Sequence, residues 1–178
     1  SKESYVVAVT VDDTSVGATP DATATSYTLS VTDVNEAPTA VALANTTTSI
    51  AENTSTASAI KVGDITVTDD GLGSNTLALT GADVAVFEIV GTELFLKAGT
   101  VLDYESKGSY VVAVTVDDTS VGATHDATSA THTLSVTDVN EAPTAVALAN
   151  TTDSIAENTS TTSAIKVGDI TVTDDGLG

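Results

Sequence analysis

Cysteine, methionine, tryptophan and arginine are all missing from this 178-residue sequence, and four tyrosines and two phenylalanines are its only aromatic residues. Each absence closes a class of function. Without cysteine there is neither a disulfide framework nor a thiolate metal centre. No run of about 18 apolar residues occurs, so no segment inserts into a membrane as a helix. No signal-peptide pattern is visible, and the chain opens inside a repeated unit. Five lysines face 25 acids, giving a net charge of -20. That field repels phosphate, which makes nucleic acid and anionic membranes poor partners and divalent cations good ones. With so few aromatics, a core must rest on Val, Ile, Leu and Ala.

What the sequence does contain is one long repeat. DVNEAPTAVALAN runs from Asp33 to Asn45 and again from Asp138 to Asn150, a period of 105 residues. When residues 1–73 are laid on 106–178, only eight of the 73 pairs differ. A unit of that length can close a core of its own, where a solenoid repeat of about 20–50 residues cannot. The chain therefore divides into the end of one unit (1–36), a complete unit (37–141) and the start of a third (142–178). Half-units alone would expose unpaired strand edges, so the chain reads as a window on a longer array.

Within a unit, short β-branched runs alternate with Gly, Asp and Asn turns, and no helical spacing occurs. SYVVAVTV (Ser109 to Val116, repeating Ser4 to Val11) is a strand. The later run alternating Tyr27, Leu29 and Val31 forms a hairpin with it. Ala59 to Asp70 changes alternation phase across Gly63 and Asp64, which predicts a bulge there. TAVALAN, TLALTG, VFEIVG and ELFLKAG supply further strands, and Ser49 to Ser55 is a short extended piece. The pattern predicts an all-β, seven-stranded antiparallel Greek-key sandwich repeated in tandem.

The acids gather where strands should end: Glu52 in IAEN, Asp69 and Asp70 in TVTDD, Asp103 and Glu105 in LDYE, Asp117 and Asp118 in TVDD, and Asp138, Asn140 and Glu141 in DVNE. In this order the motifs resemble the cadherin repeat, specifically the bacterial cadherin-like domains of giant secreted adhesins of the repeats-in-toxin type. The resemblance covers the unit from Ala37 to Glu141. It implies Ca²⁺ at the junctions between consecutive repeats. The second junction would draw on Glu52, Asp103, Glu105, Asp138, Asn140, Glu141, Asp174 and Asp175. The first would draw on Asp33, Asn35, Glu36, Asp69, Asp70 and one of Asp117 and Asp118. Two positions depart from the family pattern: Gly71 replaces the second acid of an Asp-x-Asp corner, and Glu36 and Glu141 stand where Asp is usual.

Hard oxygen ligands in this number suit Ca²⁺ and not the zinc that histidine or cysteine would indicate. A glycosidase-like acid pair, Asp103 with Glu105 or Asp117 with Asp118, lacks a partner set, a pocket aromatic and an oxyanion donor, so the chain reads as no enzyme. His125 and His132 replace Pro20 and Tyr27 between the copies and read as surface variants. Asn45, Asn53, Asn150 and Asn158 match N-x-[ST], as chance provides in so threonine-rich a chain. The expected function is an extracellular, secreted or cell-surface spacer for cell adhesion, contacting neighbouring repeats and stiffened by calcium. A homophilic or glycan-binding adhesion module is the alternative.

Overall fold

The computed structural model describes residues 3–17, 19–122 and 124–175. Among them β1 (Ser4–Val7), β2 (Thr10–Val11), β3 (Ala22–Thr23) and β4 (Tyr27–Ser30) precede the first linker. β5 (Ala40–Ala44), β6 (Ser49–Ala51), β7 (Ile60–Thr68), β8 (Asn75–Thr80), β9 (Phe87–Val90), β10 (Glu93–Leu96), β11 (Ser109–Asp118), β12 (Ala127–Thr128) and β13 (His132–Thr137) follow it. β14 (Ala145–Ala149) and β15 (Asp169–Thr173) come after the second linker. Among the described residues a single 3-10 turn, Val84–Val86, interrupts the strands. No helix among the described residues is long and apolar enough to cross a membrane.

Strands β5 to β13 form two sheets. One has the order β5-β7-β10-β9, and in the other β11 lies between β8 and the β12/β13 arm, with β6 beyond β13. Side chains alternate across each strand, so one face of each sheet turns inward. Val62, Ile65, Phe87, Leu94 and Leu96 meet Val112, Val114, Val116, Leu134 and Val136 in a single apolar core. The bulge falls where the alternation changes phase: Leu94 pairs with Gly63 but Phe95 pairs with Lys61, leaving Val62 as the extra residue. Both Val62 and Ile65 thereby point inward although three positions apart. The fold is the all-β sandwich expected. One ladder departs from the antiparallel plan, because the chain leaves β5 in the first sheet and crosses to the second, where β6 runs parallel to β13.

The two flanking segments repeat the central ladders register for register. Tyr5 pairs with Leu29 as Tyr110 pairs with Leu134, and Val146 with Val172 as Val41 with Val67. Their burial differs completely. Tyr5 and Leu29 are 51% and 53% exposed, against 6% and 0% for Tyr110 and Leu134. Local sequence thus sets strand and register, and the opposing sheet alone supplies burial.

His132 corrects the expectation of a surface variant. On β13 residues 132, 134 and 136 all face inward, and His132 is 7% exposed. Its position in the Tyr27, Leu29, Val31 alternation placed it on that face. His125 lies at the surface.

Candidate metal centre at the linkers between repeats

Topology sends the acidic corners to opposite ends of the sandwich. β7 ends at Thr68 beside Ala40, where β5 begins, and β11 ends at Asp118 beside Asn75, where β8 begins. The linker Asp33–Glu36 therefore enters among Asp69, Asp70, Asp117 and Asp118. At the far end β6 and β13 finish side by side, with Ala51 opposite Thr137, and so deliver Glu52 next to Asp138.

At the entering linker, the Glu36 amide donates to Asp70 Oδ2 at 3.1 Å, and the Leu72 amide donates to Asp70 Oδ1 at 2.8 Å. Asn35 Nδ2 donates to Asp118 Oδ2 and to Ser120 Oγ, each at 3.0 Å. Asp118 is 2% exposed and also accepts the Ser120 amide (2.9 Å) and hydroxyl (2.7 Å). These bonds, from Ser120 first and then Asn35, pull its carboxyl down to about 2. It is thus a fixed anion at the linker. Asp117 turns away and accepts the His125 amide at 2.9 Å, so of the two adjacent acids Asp118 meets the linker. Asp69 Oδ2 accepts from Asn75 Nδ2 at 2.6 Å, while its Oδ1 is buried without a partner. Asn35 Oδ1 is likewise buried and unpartnered. Asp33 is exposed and acts on Glu36 through its charge.

Gly73 makes this arrangement sterically possible. Its φ is +74°, and a Cβ there would stand 2.0 Å from Asp118 Oδ2 and 2.5 Å from Asn35 Oδ1. Gly71 has φ +88° but open space around it. Gly73→Ala should cost roughly 1–3 kcal/mol in urea unfolding through strain and displaced carboxylate. Gly71→Ala should carry the backbone term alone, so equal losses for the two would disprove the cradle.

At the leaving linker, Glu52 Oε2 accepts the Tyr104 amide at 2.8 Å and Oε1 the Val139 amide at 2.7 Å. Its oxygens stand within 4.8 Å of one oxygen each from Asp103 and Glu105, and likewise of one each from Asp138 and Glu141. Asp103 also accepts the Ser106 amide at 2.8 Å and hydroxyl at 2.7 Å. The Glu141 amide donates to Asp175 Oδ2 at 2.9 Å, repeating the Glu36–Asp70 bond one period on. Asp138 Oδ1 is buried and unpartnered. Asn140 and Asp174 are exposed.

Burial, bonds between carboxyls and the crowding of like charge raise several of these carboxyls above their ordinary range. Asp138 is raised by burial and then by Glu52 and Asp175. Glu141 is raised by burial, by Glu52 and by its bond with Asp175. In Glu36 the bond with Asp70 leads, followed by burial and the charges of Asp70, Asp33 and Asp69. Glu105 is pulled down by its own amide yet ends raised, through burial and the charges of Glu52, Asp138 and Asp103. A site that resists full ionisation in this way gains most from a cation.

Sequence motifs located the acids but missed Ser120, Asn75 and Gly73. The Asp118-Thr119-Ser120 spacing could have flagged Ser120, since a hydroxyl two residues after an aspartate commonly bonds back to it.

No protein-family model matches the sequence. No curated protein is similar to it at the level of a match. Solved structures are similar in fold. A protocadherin gammaB7 EC3-6 cis-dimer structure aligns over 99% of this chain and 40% of its own, with TM-score 0.67 and 22% identity. Protocadherin gamma B2 extracellular cadherin domains 1-5 align over 85% of this chain and 28% of theirs, at TM-score 0.62 and 22% identity. The protocadherin gammaB4 extracellular domain aligns over 99% and 27%, at 0.61 and 21%. This chain spans less than half the length of each. The chain thus has the fold of cadherin extracellular domains.

Proposed function

We propose that the chain is part of a calcium-stiffened spacer in a secreted or surface-attached adhesin, each unit running from about Ala37 to Glu141. The observation that carries the proposal is three buried oxygens without a donor. Asn35 Oδ1 and Asp69 Oδ1 lie at one linker, and Asp138 Oδ1 lies at the other. A buried acceptor left unpaired costs about 1–3 kcal/mol, and more when charged. Three such atoms at the two linkers are what a bound cation would satisfy.

The donor set fits calcium. Carboxylate and amide oxygens are its ligands, six to eight at about 2.3–2.6 Å, and no sulfur is available for zinc. Glu52, Asp103, Glu105, Asp138 and Glu141 would hold ions at the leaving linker, joined from the next repeat by Asp175. Asp33, Asn35, Glu36, Asp69, Asp70 and Asp118 would do so at the entering one. Bound calcium supplies the positive charge that lets these carboxylates stay together. The chain's own residues do the rest: amides of Tyr104 and Val139 orient Glu52, and Ser120 and Asn35 orient Asp118.

Because each site takes oxygens from two repeats and the linker, binding and stiffening are one event. A repeat with strands of about ten residues adds roughly 30–40 Å to a rod. Such a rod would hold a terminal binding domain away from the cell surface. Calorimetric titration of Ca²⁺ into three consecutive repeats, with small-angle scattering before and after chelation, tests this. Several ions bound per linker and a longer, stiffer particle are expected. No heat of binding and an unchanged particle would leave a flexible metal-free array and refute the proposal.

A further inference from the structure

We propose that His132 makes the 37–141 repeat acid-labile, because its imidazole can take up a second proton only if β13 parts from the Asn45–Thr48 link. The inference stands apart from the calcium reading. His132 is 7% exposed, and its Nε2 is buried with no hydrogen-bond partner. Its other polar contact is with the backbone of Thr47. Across from it in the ladder is Val112, and a shallow groove beside it is lined by Ala42, Leu43, Thr46, Ala130 and Thr131.

No carboxylate is placed to receive the new proton. β5, β6 and the 45–48 link hold no ionisable side chain. On β11 the acids Asp117 and Asp118 lie five and six residues beyond Val112, about 16–20 Å along the strand. Asp83 takes the Val111 amide on the opposite edge of β11, where Lys107 pairs with it. Asp64 is tied to Asn45 and Lys61, and Lys61 also pairs with Glu93. An imidazolium here would be a buried charge with one N–H unanswered, which is expensive unless the site opens.

The thermodynamic sign follows. Burial holds the ring below its ordinary pKa, opposed only by the Thr47 carbonyl. A base depressed in the folded state stabilises the fold fully above its unfolded pKa, about 6.5, and that stability is lost as pH falls below it. The raised carboxylates at the linkers act in the opposite direction on acidification in the absence of metal. The other copy carries Tyr27 in this register, opposite Val7. Acid sensitivity would therefore mark individual repeats of one array.

The test is urea unfolding of the whole chain in chelator from pH about 8 to about 5, the interval in which histidine charges. Wild type is compared with His132→Tyr, His132→Gln and, as control, His125→Asn. The folding constant of wild type and of His125→Asn should fall several-fold relative to both His132 variants at the acidic end. Parallel curves for all four would overturn the proposal. Should the His132 variants fail to fold, NMR of the wild-type rings decides: His132 should stay neutral through pH about 6.5, and charging at or above that value in the folded chain would overturn it.

Discussion

Glu52→Ala should weaken calcium binding at the leaving linker at least tenfold, whereas Glu105→Ala should weaken it less. Glu52 belongs to both oxygen groups there, the one with Asp103 and Glu105 and the one with Asp138 and Glu141. Glu105 belongs to one. Affinity in such sites follows the number and charge of their oxygens, so losing the shared carboxylate should weaken binding at least tenfold, about 1.4 kcal/mol. Truncation also frees the Tyr104 and Val139 amides that Glu52 accepts, each bond contributing about 0.5–1.5 kcal/mol. Glu52→Gln keeps an acceptor and removes the charge. Calorimetry should rank the chains wild type, Glu105→Ala, Glu52→Gln, Glu52→Ala in falling affinity at this linker. Equal effects of Glu105→Ala and Glu52→Ala would mean that Glu52 is not shared between ions.

The second large effect compares one residue in two settings. Leu134 and Leu29 hold equivalent positions in ladders of the same register, yet Leu134 is wholly buried and Leu29 is 53% exposed. Leu134→Ala should cost about 2–5 kcal/mol, the usual range for emptying a packed core site. Leu29→Ala should cost less than about 0.5 kcal/mol. Urea unfolding of the whole chain checks both, since the transition of the 37–141 sandwich should shift with Leu134→Ala and stay in place with Leu29→Ala. Comparable losses would show that residues 1–36 bury their apolar face in solution.

Much of the fold was legible because strands announce themselves locally. The phase change at Gly63 gave the bulge, and the alternation of Tyr27, Leu29 and Val31 gave the inward face of β13. What the sequence hid depends on pairing between distant strands. Nothing in Ser49 to Ala51 says that this piece joins the opposite sheet in parallel, because three residues carry no periodicity. The choice between Asp117 and Asp118 was hidden for a related reason. It rests on side-chain direction at the end of β11 and on partners 83 and 85 residues away from Asn35. His132 was legible and misjudged: its divergence from Tyr27 drew attention from the strand face they share.

The parallel pairing of β6 with β13 bears on how the repeat answers a pull. Tension along an array enters ahead of β5 and leaves after Thr137. Because β6 and β13 run the same way, that tension slides one strand against the other. The bonds Ser135 to Thr48 and Glu52 to Thr137 are then loaded together in shear, not peeled one after another as in an end-loaded hairpin. Glu52 leaves β6 and Asp138 leaves β13 at the same point, so the oxygens proposed to hold a cation sit on the loaded end of this clamp. A repeat tightened there would resist stretching as a latch between rungs, with the load shared by the ladder and the linker.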